Sequence, residues 1–264
     1  MFKKTLVAAA LLAVTSVAQA HFQLLQPTDL LLEKGGKQTL KMPFTHPSES
    51  GKVMDIAKPE SFTVLHKGKS QDLSEQLQSI EWTSAEGPGK AWQADVKLRS
   101  MGDYVYVLTP QPYFEETEDA YIQQITKTVM NVGSLPTDWD AELGLKAEIV
   151  PLIAPYALFT GNVFTGVVKS QGKLVPFAEI EVEHLNFPVD MKANRFGETA
   201  RINFPADAFV TQVIKADANG TFHFGIPKSG FWGFAALGVG PDTEHNGKEL
   251  SQDAVIWVQA QDLK

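Results

Sequence analysis

His21 is the residue of this chain with the clearest potential for chemistry. It follows Ala18-Gln19-Ala20, a small-x-small motif typical of a signal-peptide cleavage site. Cleavage after Ala20 would give His21 a free α-amine, so that the amine nitrogen and ring Nδ1 could close a six-membered chelate on one metal ion. Such an amine has a pKa of about 7.7–8.0 and loses its proton to a metal more readily than a lysine does. Two nitrogen donors from one residue favour nickel, copper or cobalt.

The first twenty residues have the organisation of a secretory signal peptide. Lys3 and Lys4 give a charged start, and residues 5–14 form a short apolar run. This pattern predicts export to the periplasm with removal of residues 1–20. The alternative for His21 is that cleavage exposes a histidine by chance, without any role as a ligand.

Composition excludes several functional classes. The chain has no cysteine, so disulfides, thiolate metal sites and cysteine nucleophiles are impossible. Its net charge is −8, which favours cations over nucleic acid or anionic membranes as partners. We expect no membrane span, since no second apolar stretch approaches the roughly 20 residues that one requires. Motifs of zinc hydrolases, nucleotide-binding loops and serine hydrolases are also missing.

Short alternating runs separated by turn residues predict an all-β fold. Residues 116–129 differ, because their polar composition and mixed apolar spacing suggest a possible short helix. The run from Glu179 to Glu183 alternates strictly, which predicts a strand with solvated glutamates on one face and His184 on its buried face. Asn219-Gly220 predicts a hairpin turn.

Two β-sandwich domains fit this pattern. A stiff apolar connector at residues 151–156 predicts a boundary, with a metal-binding domain over 21–154 and a smaller sandwich over 155–264. The C-terminal part resembles the transthyretin-like, carboxypeptidase-regulatory type of sandwich. Three segments carry that resemblance: Asn162-Val163-Phe164-Thr165-Gly166-Val167-Val168, Lys173-Leu174-Val175-Pro176-Phe177-Ala178 and Asp217-Ala218-Asn219-Gly220-Thr221-Phe222.

Over nearly its full mature length, the chain resembles a family of exported proteins of unknown function that are grouped with periplasmic components of cobalt and nickel uptake. The matching segments are Ala20-His21-Phe22-Gln23, Pro43-Phe44-Thr45-His46-Pro47, Pro112-Tyr113-Phe114-Glu115, Thr126-Lys127, Trp139-Asp140, Gly144-Leu145-Lys146-Ala147-Glu148-Ile149-Val150-Pro151-Leu152, Pro155-Tyr156 and Gly230-Phe231-Trp232-Gly233-Phe234. The combination is specific, although each short motif alone is weak.

This resemblance implies two partners for His21. His46 lies in a His–Pro loop after a strand and is implied as a ligand; the alternative is a surface histidine. Glu115 belongs to an acidic segment and could bind the metal or orient a bound histidine; the alternative is a solvated acidic loop. Among the other candidates, we expect Met54 and His184 in the core.

The remaining histidines carry no metal-site prediction. We expect His66, His223 and His245 to be solvated or exposed, because His66 and His245 lie among lysines and His223 alternates with buried phenylalanines.

Together these observations predict a periplasmic protein, not an enzyme, that binds Ni(II) or Co(II) and delivers it to an inner-membrane transporter. The metal ligands would be His21, His46 and Glu115. The alternative is Cu(II), because an N-terminal histidine plus one imidazole is also the donor set of the histidine brace in copper carriers and oxidative enzymes. A second alternative is a metal-free interaction module.

Overall fold

The computed structural model describes residues 21–263; the predicted signal peptide lies outside this range. The described residues form 24 strands and two 3₁₀ turns, Ser74–Gln76 and Asp207–Phe209. This confirms the predicted all-β fold class. Within this range, no helix has the length and hydrophobicity that crossing a membrane requires.

The strands range in length from 2 to 14 residues. The first twelve are β1 Phe22–Gln23, β2 Leu31–Leu32, β3 Gly36–Met42, β4 Phe44–Thr45, β5 Val53–Met54, β6 Ser61–His66, β7 Lys69–Asp72, β8 Leu77–Ser84, β9 Gly87–Leu98, β10 Gly102–Thr109, β11 Tyr113–Glu115 and β12 Ala120–Val132. The others are β13 Glu148–Pro151, β14 Leu158–Phe159, β15 Val163–Ser170, β16 Lys173–Leu174, β17 Glu179–His184, β18 Val189–Asp190, β19 Arg195–Phe196, β20 Gln212–Lys215, β21 Thr221–Gly225, β22 Gly230–Ala236, β23 Glu244–His245 and β24 Lys248–Gln261.

One twelve-stranded sheet runs through both halves of the chain. Its main path is β20-β17-β22-β24-β12-β10-β6-β7, and β12 pairs with β24 in parallel. A five-stranded sheet has the order β18-β19-β8-β9-β3, and a four-stranded sheet joins β13, β15, β16 and β21. The small sheet β1-β4-β5 holds the beginning of the described chain.

Two hydrophobic cores share this long sheet. Along β24, Val255 and Trp257 pack into the first core, whereas Ala254, Ile256 and Val258 pack into the second. Because side chains alternate between the faces of a strand, one apolar strand can serve both cores. The sheet therefore ties the two halves of the chain together at their centre.

The helix suggested over residues 116–129 is wrong. Residues 116–119 form a turn, and β12 follows it as a central strand between β10 and β24. Both faces of β12 are covered, so every residue from Gln123 to Val132 is buried. Burial on both faces removes the alternation that marks a half-exposed strand, and this explains the mixed spacing.

The domain boundary between 154 and 155 stays a prediction. Strands on its two sides pair directly, since β13 lies antiparallel to β15.

The expectation of a solvated glutamate face on β17 is wrong at its end. Glu179 is exposed, but Glu183 is only 2% exposed, because the segment after β4 packs over that end of the strand.

Candidate metal centre

Strand pairing brings His21 and His46 together. β1 lies antiparallel to β4, with Phe22 opposite Thr45. Continuing this register by one residue places His21 opposite His46, and the centroids of their rings are 4.4 Å apart. Directly opposed residues of an antiparallel pair have Cβ atoms about 4.5–5.5 Å apart. The backbone register is therefore sufficient to explain the contact between the two histidines.

Gln124 fixes the backbone on both sides of β1's first residue. Its side-chain amide donates to the carbonyl oxygen of His21 at 2.7 Å, and its side-chain oxygen accepts from the N–H of Gln23 at 2.8 Å. Gln124 lies on β12 and is 3% exposed. One buried side chain thus satisfies an acceptor and a donor of the N-terminal strand, which holds His21 in place.

The residues directly after His21 belong to the first core. Phe22 is fully buried, and its ring lies edge-on to Trp257 with centroids 5.7 Å apart. The indole N–H of Trp257 donates to the carbonyl oxygen of Gln23 at 3.0 Å. Leu24 and Leu25 are also fully buried. A chain cleaved before His21 would therefore begin at a residue joined to a packed strand.

His46 is held by a tight loop. Its carbonyl oxygen accepts from the N–H of Gly51 at 3.2 Å, and the side chain is 7% exposed. A Cβ at position 51 would lie 2.9 Å from the Cβ of His46 and 3.0 Å from its Cδ2. Only glycine leaves room for the imidazole at this position, so the loop packs directly against the ring.

The same loop is anchored to β17 in the other half of the chain. The N–H of Ser48 donates to Glu183 Oε2 at 3.3 Å, and its hydroxyl donates to the carbonyl oxygen of His184 at 2.9 Å. The side chain of Asn186 donates to the carbonyl oxygen of Ser48 at 3.1 Å. Thr211 donates its hydroxyl to the other oxygen of Glu183. Both halves of the chain therefore position His46.

Glu115 contacts the outer nitrogen of His21. Its Oε2 lies 3.1 Å from His21 Nε2, and each side chain is 12% exposed. Its Oε1 accepts from the N–H of Thr117 at 3.1 Å and from the hydroxyl at 2.7 Å. Thr117 thus fixes one carboxylate oxygen while the other faces the imidazole.

The electrostatics favour a neutral imidazole beside an ionised carboxylate. Burial, together with the nearby His46, lowers the pKa of His21 to about 4, although Glu115 acts in the opposite direction. Burial acts to raise the pKa of Glu115, but hydrogen bonds from Thr117 and the adjacent His21 and Lys52 lower it overall. At neutral pH the contact is therefore a hydrogen bond from Nε2–H to the carboxylate, not a pair of full charges.

This tautomer leaves Nδ1 of His21 as a lone-pair donor. Nδ1 is the nitrogen that forms a chelate with the α-amine. Metal-binding histidines usually donate their other ring N–H to a carboxylate or carbonyl, which fixes the ring and raises its basicity. Within residues 21–263, no group of three or more His, Asp or Glu side chains is arranged so that it could hold a metal ion. With its α-amine free, the centre offers three nitrogen donors from His21 and His46.

Aromatic side chains and a cleft border the centre. The ring of Phe44 lies 5.6 Å from that of His21 and packs edge-on against Tyr113 at 5.5 Å. Glu115 lies in the wall of a surface cleft of about 520 Å³ that Lys52 and Tyr113 also line. The carboxylate side of the centre is thus reachable from solvent, while its other side is apolar.

The other sequence candidates lie elsewhere. Met54 and His184 are buried, as expected, and His223 is exposed, also as expected. His66 and His245 are not fully solvated, because each is partly buried and packs against a tyrosine ring. These contacts explain four of the six histidines without any metal.

Sequence reasoning missed Gln124 and Glu183. Gln124 fell in the suspected helix, and Glu183 fell in the alternating run assigned to solvent. A weak indication was present, since Gln123 and Gln124 interrupt a β-branched apolar run between Ile122 and Ile125. Buried amides in such a run often bond to backbone that has no other partner.

The chain belongs to the family described as "Domain of unknown function (DUF4198)", which matches residues 18–240. The matched range contains His21, His46 and Glu115. No curated protein matches the chain.

Solved structures give only distant similarities. The D0-D1 domain of Intimin is 12% identical over 88% of this chain and 96% of that one, with a TM-score of 0.22. A putative carbohydrate binding protein from Bacteroides uniformis is 12% identical over 80% and 94%, with a TM-score of 0.25. Dimeric latent PorU from Porphyromonas gingivalis is 8% identical over 91% of this chain but 20% of that one, with a TM-score of 0.22. Similarities this low carry no functional argument.

Proposed function

We propose that this member of the DUF4198 family is a periplasmic metal-binding protein that carries nickel or cobalt to an inner-membrane transporter. After cleavage behind Ala20, the α-amine and Nδ1 of His21 bind the ion together with the imidazole of His46. Glu115 orients the ring of His21, and water completes the coordination. The protein is a carrier and not an enzyme.

The observation that supports this proposal is the arrangement of His21 between His46 and Glu115. His21 directly precedes β1, His46 directly follows β4 and Glu115 ends β11, and hydrogen bonds or packing fix each one. Two metal–nitrogen bonds of about 2.0–2.1 Å span up to about 4 Å between nitrogens, so the two neighbouring rings are close enough to share an ion. A nitrogen-rich donor set favours nickel, cobalt or copper over magnesium and calcium. Delivery to a transporter rests on the family resemblance.

The decisive test compares two N-termini. Protein beginning at His21 and protein with Gly-Ser before His21 are titrated with Ni(II) and Co(II) by calorimetry. The extension converts the amine into an amide, so we expect affinity to fall by at least about tenfold, or about 1.4 kcal/mol. The apo melting temperature should stay the same. Equal affinities for the two proteins would contradict the proposal.

A substitution pair tests the second ligand. His46→Ala should weaken Ni(II) binding by at least about tenfold, because one of three nitrogen donors is lost. His245→Ala is the matched control, since His245 is partly buried against Tyr121 and lies far along the chain from His21. Similar behaviour of the two variants would show that the site has been misplaced.

Copper is the second candidate, favoured by the same pair of rings beside the apolar face of Phe44. Cu(II) binds more tightly than Ni(II) to most nitrogen sites, so the order of affinities in vitro does not decide between them. The metal content of protein isolated from the periplasm of its own organism decides between the two metals. Copper in that preparation, with ascorbate-driven peroxide formation, would replace the nickel proposal with an oxidative one.

A further inference from the structure

A second surface cleft, of about 510 Å³, lies at the edge of the sandwich formed by the N-terminal half of the chain. Strands β6, β7, β9 and β10 and the turns after them line it. None of His21, His46 and Glu115 belongs to its wall. The cleft is thus separate from the candidate metal centre.

The cleft exists because the edge strand carries polar residues where a sandwich needs apolar ones. β7 ends the twelve-stranded sheet and pairs with β6, with Lys69 opposite His66 and Gln71 opposite Val64. Val64 is buried in the first core, so Lys69 and Gln71 share the inward-facing side of the sheet. An inward lysine protects an edge strand from pairing with other chains. Protection of the edge strand explains the presence of Lys69, but it does not explain the other cations that line the cleft.

The charge of the cleft calls for a further explanation. Lys69, Lys97 and Arg99 line it and are exposed, whereas no aspartate or glutamate lines it. Within residues 21–263 none of these three cations forms an ion pair. Lys97 alternates with the buried Val96 and Leu98, so its side chain lies with that of Lys37, its partner on β3, on the solvent face of β9. A protein of net charge −8 therefore places two cations without an ion pair, Lys69 and Arg99, at a cleft that no acid lines.

The turn that carries Arg99 is held in place by the floor of the cleft. The hydroxyl of Tyr104 accepts from the N–H groups of Arg99 at 2.9 Å and Ser100 at 3.0 Å. The ring of His66 stacks on Tyr104 at 3.9 Å. Its Nδ1 donates to the carbonyl oxygen of Asp103 at 2.7 Å, and its Nε2 bonds the hydroxyl of Ser100 at 2.8 Å. A fixed turn lowers the entropy cost of using its cation to bind a ligand.

We propose that this cleft binds a small organic polyanion. Lys69 and Arg99 supply the charge that carboxylate or phosphate groups need, and the arginine can bind two oxygens at once. Tyr106 and the neighbouring valines provide an apolar floor for the body of the ligand. The volume lies within the range of about 300–1,000 Å³ of small-molecule sites. Carboxylate and phosphate ligands share this chemistry, and the test separates them.

Calorimetry on the mature protein at low salt tests this inference with three probes. Citrate represents polycarboxylates, glucose 6-phosphate represents phosphorylated polyols, and glucose is the neutral control. We expect one anionic probe to bind and glucose to fail. Arg99→Gln and Lys69→Gln should each weaken that binding by at least about fivefold, because each substitution removes a charge-assisted hydrogen bond to the anion. Rising salt should weaken it as well.

Lys173→Gln is the matched control, because Lys173 is exposed, lies outside the cleft and forms no ion pair within residues 21–263. It should bind the probe like the wild type. Lost binding in Lys173→Gln, equal binding of glucose, or no binding of either anion would overturn the inference. Arg99→Gln should keep the wild-type Ni(II) affinity and apo melting temperature. Failure of the anion-site inference is therefore distinguishable from failure of the proposed metal site.

Discussion

The position of Glu115 determines which nitrogen of His21 is free to bind in the proposed metal centre. Its carboxylate faces Nε2 of His21 and leaves Nδ1 for the chelate. A carboxylate that orients a ligand and one that binds the ion directly respond differently to substitution. The difference between glutamine and alanine at this position therefore reveals the role.

Glu115→Gln should retain most Ni(II) affinity, because an amide oxygen still accepts the hydrogen bond from His21. Glu115→Ala removes the acceptor and should weaken binding by about 10–100-fold, the usual range for a residue that orients a metal ligand. Calorimetric titration of both variants provides the comparison. Equal losses in the two variants would instead make Glu115 a direct ligand.

The lowered pKa of His21 changes the expected pH response. From standard pKa values, both the amine and the ring would compete with metal between pH 8 and 5. With a ring pKa of about 4, the imidazole of His21 is already neutral in that window. Affinity should still rise with pH, because the amine has a pKa of about 8.

The measurable consequence is a difference in slope. Log affinity for Ni(II) plotted against pH from 5 to 8 should be steeper by about one proton for the authentic His21 terminus than for the Gly-Ser extension. The extension removes only the titrating amine. Identical slopes would show that no amine proton is released on binding, which contradicts chelation by the terminus.

At the scale of elements, β1 depends on β12 for its position. Gln124→Ala would leave the carbonyl oxygen of His21 and the N–H of Gln23 without their partner. We expect Ni(II) affinity to fall by several-fold, together with a stability loss of about 1–3 kcal/mol for unsatisfied buried groups. Gln123→Ala is the matched control, because Gln123 is equally buried on the opposite face of β12 and bonds Pro110 instead. It should cost similar stability without lowering metal affinity.

The strands differ in how far the sequence could predict them. The turn predicted at Asn219-Gly220 precedes β21, but the predicted hairpin is wrong, because β20 pairs with β17 whereas β21 pairs with β15. β17 follows simple alternation and was predicted. β12 was not, because Ile122, Ile125 and Val129 share a strand whose two faces are covered by neighbours far apart in the chain. Its parallel pairing with β24 joins residues more than 120 positions apart, as Gln124 and Asp253 show. Local periodicity contains no information about such a partner.

At the scale of the whole molecule, the candidate centre was predictable in part. His21 followed from the cleavage motif, and His46 and Glu115 followed from the family resemblance. The contact between His21 and His46 could not be predicted, because it depends on the register of β1 with β4. The contact of Glu115 with His21 could not be predicted either, because Glu115 lies on β11, which pairs with β12. The link from the His46 loop to Glu183 depends on a fold that brings the two halves of the chain together.

The fold also buries histidines and glutamates, whose effects on the pH dependence of the free energy of unfolding are opposite. Burial lowers the pKa of His21 and His184 to about 4. Both groups are protonated in the unfolded chain below about pH 6.5, so stability falls as pH drops from 6.5 towards 4. Burial raises the pKa of Glu181 to about 7 and of Glu183 to about 8. Between about pH 4.5 and these values the unfolded chain ionises the acids while the folded chain keeps them protonated, so stability falls as pH rises from 4.5 to about 7–8 and then levels off.

The free energy of unfolding of the apo protein should therefore be greatest between about pH 4.5 and 6.5, where the two effects oppose each other, and decline between about pH 6.5 and 8, where only the acids titrate. Glu183→Gln should flatten the alkaline decline, because glutamine mimics the protonated acid and never ionises. Above pH 8 the variant should be more stable than the wild type by about 1 kcal/mol or more, since each pKa unit corresponds to about 1.4 kcal/mol. Glu179→Gln, on the exposed start of the same strand, should keep the wild-type profile. Urea unfolding from pH 5 to 9 measures all three proteins, and an unchanged decline in Glu183→Gln would show that this acid is ionised in the folded protein.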